Sequence, residues 1–261
     1  MLVIADNLNA RNGAFKEALA KRDRKALSAL AVKLSEAGAD MINVQCSTDG
    51  SGDEESLPWA VEALQEAVDL DISLDSRNLE ALKKAVTLCK RPPLVNYLSL
   101  TEPEDADSLL ELVRRSGASL VLLATRGTPL TTFEAKVQVI EELMEEANAA
   151  DIPNSRLFAD PALVHIGRGA GQDHLVSASE FVRVLNEMVD PPVNTVAWIS
   201  NVSTGMPAAA RRAVEPAFLA YLAGAGLDAA MVNVLEPEIR KTVYLLKSFR
   251  DEIIFTPADI A

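Results

Sequence analysis

The 261-residue sequence predicts an α/β fold, a single (β/α)8 TIM barrel spanning residues 1–261. Three observations predict it. Short apolar stretches alternate with helical patterns eight times along the chain. Three joints from helix into strand look alike: Ala37-Gly38-Ala39-Asp40, Ser116-Gly117-Ala118-Ser119 and Gly224-Ala225-Gly226-Leu227-Asp228. A short glycine joint ahead of an apolar strand is what a βα repeat needs. The length is near that typical of eight such units, and no Gly-x-Gly-x-x-Gly follows the first strand, which disfavours a doubly wound open sheet.

Each element has a local reason. Leu2 to Ala5 reads as the first strand, with Asp6, Asn7, Asn9 and Gly13 in the loop after it. Lys25 to Ala37 is helical by the spacing of Leu27, Leu30, Ala31 and Leu34, and Gly38 closes it. Met41 to Val44 is the second strand, and Gln45 to Asp53 is too rich in turn residues to be helix. Glu54 to Val68 is helix, its acidic first turn matched to the helix dipole. Ile72 to Asp75 is a strand and Asn78 to Leu88 a helix.

Pro92-Pro93 ends any helix and leads into the strand Leu94 to Tyr97. Glu104 to Arg115 is helix, Leu120 to Ala124 strand, Thr131 to Ala149 helix and Arg156 to Asp160 strand. The stretch from Pro161 to His174, with Gly167, Gly169 and Gly171, reads as a long mobile loop. Ala178 to Val189 is helix, Thr195 to Ser200 strand, and a helix runs from the Gly205–Pro207 turn to about Leu222. Ala229 to Val234 and Glu236 to Phe249 are the last strand and helix.

Four of these strands finish in a carboxylate or an amide: Asp75, Asn96, Asp160 and Asn201. Barrel active sites sit at the C-terminal ends of strands, so the topology gathers these four side chains at one mouth. Carboxylates accept hydrogen bonds and amides both donate and accept, a set suited to a flat heterocycle with an amide edge and an exocyclic amine. Taken singly, three have a plainer role: Asp75 as a helix cap, Asn96 as a partner for backbone groups, Asp160-Pro161 as a strand-stopping turn. Asn201 stands several residues too early to cap the helix near Pro207.

Bulk properties narrow the classes. A formal net charge of −13 argues against a nucleic-acid or anionic-membrane surface. Two cysteines, Cys46 and Cys89, form no CxxC and no disulfide framework. That cysteine pattern suits a reducing cytoplasm. The opening Met1-Leu2-Val3-Ile4-Ala5-Asp6 enters a strand without a basic stretch, so no leader is expected. No apolar run reaches about 18 residues, so no membrane span is expected. His165 and His174 lack the Cys or His spacing of a metal site, so no metal is expected. Trp59 and Trp198 read as packing residues, and Arg211-Arg212 as an exposed helix face.

Leu74-Asp75-Ser76, Asn96, Asp160-Pro161 and Ser200-Asn201-Val202-Ser203 fall in the order and spacing of the pterin-binding barrels, the family of dihydropteroate synthase and of the folate module of methionine synthase. Within it the chain most resembles the methyltetrahydrofolate:corrinoid/iron–sulfur protein methyltransferases, also in Gln172-Asp173-His174 and Gly226-Leu227-Asp228-Ala229-Ala230. The resemblance implies that Asp75, Asn96 and Asp160 grip the pyrimidine edge of a pterin and that Asn201 hydrogen-bonds near N5, the methyl-bearing nitrogen. It implies a methyltransferase acting between N5 of tetrahydrofolate or 5-methyltetrahydrofolate and the cobalt of a corrinoid, and a homodimer.

The chain lacks an Asp-x-His-x-x-Gly motif, so the corrinoid is expected on a separate partner protein. Asn9, Ser203 and Thr204 are expected as further contacts at the mouth. The sequence departs from the family at Asp6-Asn7-Leu8-Asn9, where relatives carry Glu-Arg-Ile-Asn, and at Thr204, where the corrinoid/iron–sulfur members carry Gln. The alternatives are a dihydropteroate synthase, whose Ser-x-Arg and strand-end Lys are not evident here, and a folate-binding protein without catalysis. A Schiff-base aldolase lacks its lysine at a strand end.

Overall fold

In the computed structural model, which describes residues 1–101 and 105–260, eight parallel strands pair in sequence order. They are β1 (Leu2–Leu8), β2 (Met41–Val44), β3 (Asp71–Asp75), β4 (Leu94–Leu98), β5 (Ser119–Leu123), β6 (Leu157–Asp160), β7 (Asn194–Trp198) and β8 (Ala229–Val232). The ring closes where Leu2 to Ala5 of β1 align with Ala229 to Val232 of β8. Closure leaves no strand edge unpaired.

Two apolar layers hold the ring. Ile4, Met41, Leu94, Val121, Val196, Ala229 and Met231 fill the barrel interior. The outward-facing strand residues, among them Val3, Ile42, Leu74, Val95 and Leu120, pack against the helices. Alternating residues therefore serve opposite layers, the period of two that a strand imposes.

Nine α-helices are found among the described residues: α1 (Gly13–Lys21), α2 (Arg24–Glu36), α3 (Asp53–Ala67), α4 (Leu79–Leu88), α5 (Ala106–Ser116), α6 (Phe133–Ala149), α7 (Gly171–Met188), α8 (Ala208–Gly224) and α9 (Pro237–Phe249). The expected start of α5 at Glu104 lies outside the described residues. The glycine joints behave as read: Gly38, Gly117 and Gly226 take φ of +88°, +72° and +107° as each chain leaves its helix. The left-handed φ at Gly226 favours glycine there, and the side-chain nitrogen of the exposed Asn186 donates to its carbonyl at 3.1 Å.

The structure corrects three boundaries that bear on the site. β1 runs on to Leu8 with a register irregularity after Ala5, which carries Asp6 on the strand rather than in a loop. The segment after it folds as α1, started by Asn12, whose side chain accepts from the N–H of Ala14 and Phe15. Phe15 and Ala18 bury that helix against the core. The long loop after β6 stops at Ala170, because α7 begins at Gly171, so His174 belongs to a helix and is buried.

Candidate active site

Asp75 is the last residue of β3 and Asp160 the last of β6. Asn96 lies in β4, and Asn201 in a tight 3-10 turn, Ile199–Ser203, that follows β7 at once. All four line one cavity of about 440 Å³ at the C-terminal end of the ring. That volume lies in the range of small-molecule sites. Asn9 lines it as well, though its amide shapes the loop, with Nδ2 donating to the Asp6 carbonyl at 2.6 Å.

Ser203 and Thr204 do not line the cavity. Three residues per turn wind the chain back on itself. The buried Ser203 hydroxyl then lies against the Ser200 carbonyl and the Glu215 carboxylate of α8, and Thr204 is exposed beyond the turn. Ser203 and Glu215 instead pin the turn that carries Asn201.

Two strands that the sequence reading left without a polar end supply further residues. Asp6 of β1 and Gln45, directly after β2, both line the cavity, as does Ser200. The same rule that found Asp75 would find them, since Val44-Gln45 is an apolar strand ending in an amide and Asp6 ends the apolar run Leu2 to Ala5. Trp198 packs on the barrel interior, as expected, and also forms part of the cavity wall.

Hydrogen bonds orient these groups. Gln45 Nε2 donates to Asp75 Oδ2 at 2.8 Å, and Ser200 Oγ to Asp6 Oδ2 at 3.2 Å. The Ala162 N–H donates to Asp160 Oδ1 at 2.6 Å. Beneath them runs a buried chain: Asn96 Nδ2 donates to Ser73 Oγ at 2.7 Å, and Ser73 Oγ to Asn43 Oδ1 at 2.9 Å. This fixes the Asn96 amide with its Oδ1 buried and without a partner among the described residues. A buried acceptor left open costs free energy until something donates to it.

The carboxylates hold their protons unusually well. Burial, then the charge of Asp6, raises Asp75 to about 7, against the hydrogen bond from Gln45. Burial raises Asp6 to about 6, and Asp160 to about 7 against the Ala162 N–H and the Lys136 ammonium. Raised carboxylates favour the folded chain while protonated, so that contribution is whole below their ordinary value of 3.8 and is lost as pH climbs through 6 to 7. The ligand-free protein is therefore expected to melt at lower temperature as pH rises from about 5 to about 8, read by calorimetry. A melting temperature that climbs over that window would contradict the assignment.

Residues 6–233 match the sequence model of the pterin binding enzymes. The chain belongs to that family. This pterin-binding enzyme is 28% identical over 249 residues to the methylcorrinoid:tetrahydrofolate methyltransferase of Eubacterium limosum, covering 94% of this chain and 89% of that one. It is 25% identical over 243 residues to the methionine synthase of Mycobacterium leprae, spanning 20% of that enzyme's length. Among solved structures it superposes on dihydropteroate synthase from Stenotrophomonas maltophilia with a TM-score of 0.68 at 18% identity, covering 98% of this chain and 94% of that one. The Yersinia pestis synthase gives 0.70 at 17%, covering 96% and 94%. At such identities these two matches speak to the barrel alone. No helix among the described residues of the pterin-binding enzyme is long and apolar enough to cross a membrane.

Proposed function

We propose that the cavity binds the pterin of tetrahydrofolate and that the enzyme moves a methyl group between N5 of that ligand and the cobalt of a corrinoid on a separate protein. The observation that carries the reading is the convergence of Asp75, Asn96, Asp160 and Asn201 on one cavity, with Asn96 Oδ1 left open. The two carboxylates and the open amide oxygen are acceptors for the N–H groups of a pyrimidine edge. Asn201, on its pinned turn, is assigned to N5. The name of the Eubacterium relative supports the same pair of substrates.

The step balances simply. In one direction the N5–methyl bond breaks and a cobalt–methyl bond forms. The bond's electron pair stays on N5, which takes up a proton, and cob(I) is formally oxidised to cob(III). The reverse path uses the same contacts. A hydrogen bond at N5 strengthens as electron density builds there, so it acts on the transition state more than on bound substrate.

Mixing the protein with cob(I)alamin and 5-methyltetrahydrofolate is expected to yield the methylcobalamin spectrum. Absence of that spectrum, together with condensation of a pterin pyrophosphate with an aminobenzoate, would replace this reading with a dihydropteroate synthase. Tetrahydrofolate bound with neither reaction would leave a folate-binding protein.

A further inference from the structure

Lys136 sits in the first turn of α6 and is completely buried, at 0% exposure. The placement is opposed twice. Burying an ammonium costs free energy unless a partner compensates it, and the positive end of a helix dipole repels a cation in the first turn. Its compensation lies at the end of β6. Lys136 Nζ donates to the carbonyl oxygen of Pro161 at 2.5 Å, the residue directly after Asp160. Two residues on, the Ala162 N–H holds Asp160 Oδ1, with Ala162 itself in the left-handed region at φ +54°. The chain around Asp160 is thus held by a cation from outside the ring while Asp160 lines the cavity inside it.

The surrounding charges can be named. Among the described residues, the Lys136 ammonium is the charged group that acts on Asp160. Asp6 and Asp53 act on Asp75 elsewhere in the ring. From α7, His174 faces Lys136; burial and then that ammonium lower its affinity for a proton, while Asp173 and the Leu130 carbonyl oppose this. His174 Nδ1 is buried without a hydrogen-bond partner among the described residues, so it accepts nothing from the Lys136 ammonium.

We propose that Lys136 is a positioning residue for the site: its buried ammonium fixes the Pro161 carbonyl and supplies the counter-charge that lets Asp160 present a carboxylate to the ligand. The inference deepens the reading of Asp160 as a pterin contact and rests on it, but one of its tests needs no pterin. The carboxyl of Asp160 is titrated by carbon-13 NMR in the ligand-free protein, with Asp160→Asn to assign the signal.

In the wild type the midpoint is expected near 7. In Lys136→Met it is expected to rise by about 1 pH unit, the low end of the span an opposite charge commands, because the ammonium bonds the Pro161 carbonyl rather than the carboxylate itself. Lys136→Arg is expected to return it towards the wild type, and the Asp75 midpoint is expected to stay put in both. Should Lys136→Met not fold, Lys136→Gln keeps a donor for Pro161 without the charge and is expected to give the same rise. An Asp160 midpoint unmoved in the neutral variants overturns the inference.

Calorimetry with tetrahydrofolate adds the second readout. The affinity lost in Lys136→Met is expected to be larger at pH 6.5 than at pH 8, by about fourfold for one unit of displaced midpoint. A loss equal at both values marks Lys136 as scaffold and overturns the inference. If the wild type binds no tetrahydrofolate, the proposed function falls while the carboxyl titration still decides the role of Lys136.

Discussion

Asn201→Ala is expected to slow methyl transfer by about 10²–10³-fold, the usual cost of removing one preorganised partner of a developing charge, with little change in tetrahydrofolate affinity. The two effects separate because of where Asn201 acts. The pyrimidine edge is assigned to Asp75, Asn96 and Asp160, on β3, β4 and β6, and those contacts are present in bound substrate and transition state alike. Asn201 is assigned to N5, where the electron pair of the breaking bond arrives only as the reaction proceeds. An interaction of that kind shows in turnover and leaves ground-state binding nearly untouched.

The turn that carries Asn201 is well suited to the task. Ser203 ties it to Glu215 on α8 and to the Ser200 carbonyl, so the amide does not depend on the ligand for its position. Single-turnover kinetics with cob(I)alamin, alongside calorimetry with tetrahydrofolate, make the comparison. A variant that loses affinity and rate in equal proportion would place Asn201 among the binding contacts.

Asp75→Asn is expected to act in opposite senses on binding and on stability. A hydrogen bond to a charged group contributes about 1.5–3 kcal/mol, so tetrahydrofolate affinity at pH 8 is expected to fall by about tenfold to a hundredfold. The ligand-free protein is expected to melt higher at pH 8, by about 2–4 °C for each kcal/mol released. The cause of that gain is local: Asp75 ionises against burial and beside Asp6. An amide of the same shape keeps the bond from Gln45 and carries no charge.

Its pH profile is also expected to flatten between about pH 5 and pH 8, since one of the three raised carboxylates is gone. Asp160→Asn is expected to weaken binding comparably without the stability gain, because it strips Lys136 of its nearest counter-charge. Thermal melts and calorimetry on both variants check this. An Asp75→Asn protein that binds as the wild type does would remove that carboxylate from the site.

Much of this was legible in the chain before any coordinates. Apolar runs bounded by turn residues mark all eight strands, and glycine at 38, 117 and 226 marks three joints, because each takes a left-handed exit from its helix. The four strand-end side chains follow from barrel geometry, which places every strand's C-terminal residue on the same face.

What escaped was set by tertiary context. β1 continues past its apolar residues to Leu8 because β2 pairs with it there, which the sequence pattern around Asp6 does not show. α1 is short, and Asn12 with the small apolar set Phe15 and Ala18 gives a faint periodic signal. Nothing in Ser200-Asn201-Val202-Ser203 reveals the tight turn that draws Ser203 towards Glu215 and leaves Thr204 exposed. A lysine on an amphipathic helix ordinarily faces solvent, so only the fold shows Lys136 buried.

The account's central claim is an orientation: the pyrimidine edge against Asp75, Asn96 and Asp160, and N5 against Asn201. A crystal structure of the protein with bound 5-methyltetrahydrofolate measures it directly. The expected result is the pterin in this cavity, the Asn201 amide about 3 Å from N5, and the Asn96 oxygen accepting a ligand N–H. A pterin bound elsewhere, or lying here with N5 turned away from Asn201, would contradict it.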